Sequence, residues 1–256
     1  MNIIFLTIKT RIERFLLELS GMTQMFAQTL WTIFRSPPKW RHISTQIVQI
    51  GVLSSPVVLI TGTFTGMVLA AQTYMQFKRI GMTTAIGPLI SLSMTNELGP
   101  VLACIMLAGR VGAAIAAEIG TMKVTEQIDA LRSLATSPVK YLVAPRLIAG
   151  MVVGPMLTAL AIAFGILGGQ LIAVGYYGVN RAFFVNNMVA LTTPADVANG
   201  LIKAFIFSII IVVVSCYKGF IAEGGAEGVG KATTAAVVVS CIGILITDFF
   251  VTLILP

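Results

Sequence analysis

Between Asn96 and Glu118 the chain reads NELGPVLACIMLAGRVGAAIAAE, apolar enough for lipid yet carrying Glu97, a Gly99-Pro100 pair, Arg110 and Glu118. A charged group in hydrocarbon costs roughly 2.5–3.5 kcal/mol on insertion scales, so such groups face a bundle interior, a cavity or a partner. Glu97 is open to several roles: a packing hydrogen bond at the Gly-Pro break, an ion pair with Arg110, a headgroup contact, or a proton-coupled carboxylate. Arg110 and Glu118, at the far end of the run, read as structural groups that fix the segment following them. Asp248 is a lone acid in the last apolar run, with no partner identifiable from sequence. Gln72-Thr73-Tyr74-Met75-Gln76-Phe77 mixes amide, aromatic and thioether groups. That mixture suits the neck of an amphipathic ligand, and equally an interfacial belt with Tyr74 at headgroup level.

Over residues 121–136 the chain turns polar and helical. Val124, Ile128, Leu131 and Leu134 form a narrow apolar stripe, while Lys123, Glu126, Gln127, Asp129 and Arg132 take the other positions. Thr125 is the predicted N-cap and Ser137-Pro138 ends the segment. The pattern fits a connector lying on the membrane, and it fits a coupling helix docked in a groove of a cytoplasmic motor subunit.

Elements that could position these groups follow from composition. The chain has 256 residues, 57% hydrophobic and 11% charged, with mean hydropathy +0.94. That places it among polytopic helical membrane proteins. Period-2 alternation between turn signals is absent, which argues against an outer-membrane barrel. About 20 apolar residues cross a bilayer, and the sequence predicts spans at 50–71, 86–115, 147–174, 201–217 and 234–255. The second exceeds one straight crossing and is expected to break at Gly99-Pro100. Ahead of the spans, residues 3–19 place Ile4, Ile8, Ile12, Phe15, Leu16 and Leu19 on one face, as in an amphipathic interfacial helix. A second short helix is expected over 22–34, stopped by Pro37-Pro38. Residues 1–45 thus form an interfacial unit and 46–256 the transmembrane unit.

With the N-terminus inside, the basic residues sort asymmetrically. Lys9, Arg11, Arg14, Arg35, Lys39, Arg41, Arg110, Lys123, Arg132, Lys140, Arg146, Lys218 and Lys231 fall inside, and only Lys78, Arg79, Arg181 and Lys203 outside. This positive-inside bias accounts for the formal charge of +7 without nucleic acid as a partner. Residues 186–199, with Pro194 and Asp196, are expected to be an outer loop with a short helix. Five spans leave no room for two equal inverted halves, so a pathway would be lined by a two-fold dimer. Gly62/Gly66, Gly150/Gly154 and Gly165/Gly169 are small-residue pairs that allow helices to approach closely.

Other chemistries are excluded. Cys104, Cys216 and Cys241 sit in apolar runs without CxxC spacing, and the single His42 has no partner for a metal or catalytic dyad. Gly225-Ala226-Glu227-Gly228-Val229-Gly230-Lys231 resembles a phosphate loop. Ala232 stands where the Ser or Thr is required, and a membrane span precedes it in place of a strand. No Gly-x-Ser-x-Gly or His-Glu-x-x-His motif occurs, so an ATP-driven process would need a separate ATPase. No secretory signal is expected, because Lys9 and Arg11 follow the apolar start.

Taken together, Glu97-Leu98-Gly99-Pro100-Val101, Ala108-Gly109-Arg110-Val111-Gly112, Ala117-Glu118-Ile119-Gly120, Thr125-Glu126-Gln127, Gly230-Lys231-Ala232-Thr233-Thr234 and Asp248-Phe249 resemble the MlaE permease family, in matching order from about residue 45 onward. The resemblance implies an all-α permease subunit of an ABC system that moves glycerophospholipid between inner and outer membranes. It implies a homodimer in the bacterial inner membrane, with a cytoplasmic N-terminus. Its implied partners are a cytoplasmic ATPase, which uses the ATP and magnesium, a hexameric periplasmic MCE-protein ring and a STAS-domain protein on the ATPase. This chain itself would be non-catalytic and hold no cofactor. Carried onto matching positions, lipid contact falls on Glu97, Asn96, Tyr74, Met75, Phe77 and Leu69. ATPase coupling falls on Glu118, Lys123, Glu126, Gln127, Asp129, Leu131 and Arg132. The chain departs from the pattern at Asn96, where the family often has arginine. An ion-coupled secondary transporter using Glu97 and Asp248, and a non-transporting scaffold, are the competing readings of the residues.

Overall fold

Eight helical elements make up most of the described residues. The computed structural model describes residues 2–35, 37–79 and 81–254, and side chains at 13, 16–35, 37–79 and 81–254. We label the elements α1 (Asn2–Arg35), α2 (Trp40–Arg79), α3 (Thr83–Val124), α4 (Gln127–Ser133), α5 (Val139–Tyr176), α6 (Arg181–Leu191), α7 (Pro194–Phe220) and α8 (Gly225–Ile254). No strand occurs among the described residues. α2, α3, α5, α7 and α8 are each long and apolar enough to cross a membrane. The protein is an all-α, multi-pass membrane protein.

α5 is the hub. α2 packs along one side of it and α7 along another, while α7 and α8 both pack on the second half of α3. The small-residue pairs lie at these contacts. A Cβ on Gly66 would collide with the Gly165 carbonyl, and one on Gly62 would stand 2.8 Å from the Ala161 carbonyl oxygen. Gly150 and Gly154 face Val212 and Ser208 of α7. At Gly62 and Gly66 glycine is required because the backbones themselves touch, and at Gly150 and Gly154 because side chains of α7 occupy the space of a Cβ. Phe207, Ile119, Leu147 and Val143 are fully buried in the main core, and Ile86, Ile90, Met94 and Phe184 in a satellite core under α6.

Several expectations change. α1 is one continuous helix, where two were expected, because nothing at residues 20–21 breaks it: Gly21 fits where any Cβ would strike the Tyr217 ring, 2.6 Å from its Cε2. The face formed by Ile4, Ile8, Ile12 and Phe15 lies outside the described side chains, while Leu16 and Leu19 are exposed. α3 does not break at Gly99-Pro100 but widens into π turns at Met94–Leu98 and Ala108–Gly112. A proline removes one α-type hydrogen bond and crowds the preceding turn, and a π turn takes up the mismatch without ending the helix. Residues 186–199 are mostly helical, shared between α6 and the first turns of α7. The phosphate-loop look-alike is the first turn and a half of α8.

Candidate functional site

Glu97 of α3 and Asp248 of α8 meet at a lysine that the sequence reading counted on the outer side, at the start of the predicted span 201–217. Lys203 lies in the first third of α7, inside the bundle, and is 2% exposed. Its ammonium donates to Glu97 Oε1 at 2.7 Å, to Thr252 Oγ1 at 2.8 Å and to the Asn96 carbonyl at 2.9 Å. It also stands 3.1 Å from Asp248 Oδ1, an ion-pair contact without hydrogen-bond alignment. Thr252 adds a hydrogen bond to Glu97 Oε1 at 3.1 Å.

Local sequence builds this cluster. In a regular helix the Asn96 carbonyl would accept from the N–H of residue 100, which Pro100 lacks; Lys203 supplies a donor for it. Gly200, one turn before Lys203, lets α7 come close: a Cβ there would meet the Thr95 carbonyl and Pro100 Cγ. The π turn at Met94–Leu98 carries Asn96 and Glu97, and such turns favour functional positions. Glu97 remains 41% exposed on its side chain and Asp248 17%. Asn96 Nδ2 reaches Asp196 Oδ1 at 3.5 Å, while its Oδ1 is buried without a partner.

Glu97 thus pairs with Lys203 and not with Arg110, whose Nη1 donates to Ser54 Oγ at 2.6 Å. Asp248 gains the partner that sequence left unnamed. Lys203, missed as a site residue, had one visible signal: a cation inside an apolar run, opposite in charge to the lone Asp248 in another.

The remaining candidate lipid contacts separate. Leu69, Tyr74 and Phe77 pack against the satellite core, with Tyr74 stacked on Tyr177 at 4.0 Å, while Met75 is exposed. They lie toward the end of α2 and do not touch the Lys203 cluster through any hydrogen bond or ion pair described here.

At the opposite end of the bundle, α3 runs on to Val124 and the predicted single helix over 121–136 divides. Thr125 is no N-cap: its hydroxyl bonds back to the Thr121 carbonyl, and the chain turns at Glu126, with φ 60°. α4 follows, and the predicted stripe splits, with Ile128 fully buried, Leu131 half-buried and Leu134 75% exposed. Asp129 holds both Lys123 (3.2 Å) and Arg132 (3.1 Å), and Glu126 and Gln127 are exposed. Glu118 pairs at 2.8 Å with Arg146, which is buried in α5. These groups therefore present a short, partly charged helix at one end of the spans.

Residues 43–254 match the family described as Permease MlaE. The chain belongs to the MlaE permease family. Its relatives include a "Probable ABC transporter permease protein" of Rickettsia conorii, 47% identical over 86% of this chain and 85% of that one. The Intermembrane phospholipid transport system permease protein MlaE of Haemophilus influenzae is 38% identical over 82% of this chain and 81% of its own. Protein TRIGALACTOSYLDIACYLGLYCEROL 1 of Arabidopsis thaliana chloroplasts is 39% identical over 87% of this chain and 63% of that protein. Within the MlaE permease fold, the Lys203 cluster and the α4 region stand as two separate polar sites joined by α3. The chain is a membrane permease of the ABC-transporter type.

Proposed function

We propose that this permease is the non-catalytic membrane subunit of an ATP-driven transporter that moves glycerophospholipid between two membranes. The observation that carries the lipid reading is the half-exposed Glu97 carboxylate, held by the buried Lys203 ammonium inside the spans. A zwitterionic or anionic headgroup offers phosphate and, in some lipids, an ammonium. Lys203 could exchange Glu97 for the phosphate, and Glu97 could then accept the headgroup amine. The name of the Haemophilus relative supports a phospholipid cargo. The ion-coupled reading is less favoured, because Lys203 already neutralises one of the two carboxylates it touches and leaves little room for a carried cation.

In this reading the chain works as a homodimer in the bacterial inner membrane with its N-terminus cytoplasmic. An ATPase, which holds the ATP and magnesium, docks at α4 and the adjoining Glu118–Arg146 pair. A periplasmic MCE-protein ring receives or delivers the lipid, and a STAS-domain protein sits on the ATPase. ATPase closure pushes α4, and α3 carries the displacement to the π turn at Asn96 and Glu97. Leu69, Tyr74, Met75 and Phe77 would then flank the acyl chains.

The test is lipid content by mass spectrometry of the complex purified gently from its native membrane. Glu97→Lys should lower bound phospholipid severalfold with the assembly intact. Unchanged lipid in that variant would remove Glu97 from the site, and a complex lacking an ATPase would remove the ATP-driven reading.

A further inference from the structure

A cavity of about 430 Å³ lies at the α4 end of the bundle. Lys39, His42, Thr136, Ser137, Lys140 and Tyr141 line it, and among the described residues no carboxylate does. A smaller hollow of about 170 Å³ shares His42 and Tyr141 and reaches both Arg146 and Glu118. Arg146 is 3% exposed, donates Nη1 to the Leu142 carbonyl and pairs Nη2 with Glu118, and its Nε has no partner. Lys39 forms no hydrogen bond or ion pair through its side chain among the described residues.

Fixed backbone builds the cavity. Pro37 and Pro38 leave Lys39 in an extended conformation (φ −62°, ψ 134°) just before α2. After α4, Ala135 N–H bonds the Arg132 carbonyl and Thr136 N–H the Leu131 carbonyl, each at 3.0 Å, with Ala135 at φ 54°. This Schellman turn brings Thr136 and Ser137 to the lining. The surrounding surface is of headgroup character: Trp40 is 73% exposed, Tyr141 46% and Phe34 86%, beside the basic Arg35 and Arg41. Aromatic and basic residues concentrate where a membrane meets water.

Lys39, the Lys140 ammonium with its several donors, and the Thr136 and Ser137 hydroxyls, without a carboxylate in the larger cavity, are the chemistry of a phosphate site, while Glu118 holds the charge of the neighbouring Arg146. The exposed aromatic and basic residues around it select the source. We infer that this cavity binds the phosphate of an anionic phospholipid headgroup, at a site separate from the Lys203 cluster. The occupant bridges Lys39 before α2 to Lys140 of α5 and the turn ending α4, so surface lipid charge sets the position of α4. The inference rests on the membrane-spanning architecture and not on the cargo.

Native mass spectrometry of the full chain in mild detergent tests it, with short-chain phosphatidylglycerol, short-chain phosphatidylcholine and inorganic phosphate as probes. Phosphatidylglycerol should bind saturably and more tightly than phosphatidylcholine. Lys39→Gln with Lys140→Gln should weaken it about tenfold or more, and the Lys→Arg pair should retain it. The Lys39→Gln, Lys140→Gln variant should lose one bound phosphatidylglycerol and keep any held at the Lys203 cluster, which separates the two sites. Lys39→Gln alone, at an exposed position outside the core, serves where the double variant does not fold, and should weaken binding severalfold. Equal binding of the two lipids, wild-type affinity in the Gln variants, or inorganic phosphate competing as tightly as the lipid would each overturn the assignment.

Discussion

Lys203→Met removes one ammonium and orphans several acceptors at once. The Asn96 carbonyl, whose α-helical donor Pro100 cannot provide, loses its 2.9 Å contact, and an unsatisfied buried carbonyl costs about 1–3 kcal/mol. Glu97 and Asp248 lose their shared cation. Removing one member of a buried pair costs about 3–5 kcal/mol, and the 41% exposure of Glu97 puts this case at the low end. The sum is about 4 kcal/mol. At roughly 2–4 °C per kcal/mol for chains of this size, the melting temperature should fall by about 8–16 °C. Glu97→Gln keeps Lys203 on Asp248, Thr252 and the Asn96 carbonyl, and its pair is half-solvated. It should cost no more than about 1 kcal/mol. The triple change Lys203→Met, Glu97→Gln, Asp248→Asn should recover most of the loss, because a neutral cluster leaves no buried charge unpaired. The assay is thermal unfolding of the purified chain in one mild detergent, followed by tryptophan fluorescence. If Lys203→Met melts no lower than Glu97→Gln, Lys203 is not the keystone and the reasoning fails.

Further outcomes follow from other contacts. Gly66→Ala drives a methyl into the Gly165 backbone carbonyl and should cost about 3 kcal/mol or more. Gly230→Ala, in open space on α8, should be neutral or stabilising by up to about 1 kcal/mol; equal melting of the two variants would refute the backbone-contact account. Ala135→Gly relieves a left-handed alanine at the end of α4 and should raise stability by about 1 kcal/mol, read as a melting shift of a few degrees upward. Glu126→Lys with Asp129→Lys should leave melting within a few degrees, since exposed pairs contribute little, while abolishing lipid-stimulated ATP hydrolysis in the assembled complex. Normal hydrolysis would dismiss α4 as the docking element.

The legible parts of the sequence were those written in local composition. Runs such as 147–174 and 234–255 announce spans because hydrocarbon accepts little else, and among the described residues the structure has helices over Val139–Tyr176 and Gly225–Ile254. Glu97 and Asp248 announced themselves by their cost in lipid. What failed was pairing. Lys203 was counted as an outer-side charge, and not as a partner for the acids, because a single cation near a span end obeys the same charge statistics as a loop lysine. Thr125 and Glu126 form a turn inside a segment whose periodicity spelled one helix, because Ile128 is captured by the core and rotates α4 away from α3.

By itself the sequence determined the helical class, the number of crossings and the two intramembrane acids, since hydrophobic length and charge cost act residue by residue. Only the tertiary structure decided that Gly200 brings α7 against the π turn of α3, and that one ammonium there meets Glu97, Thr252, Asp248 and the carbonyl freed by Pro100. Glu97 and Thr252 alone are separated along the chain by 155 positions. No local rule joins them, because helix approach here is set by the backbone of Gly200 lying against Thr95 and Pro100 and not by hydropathy.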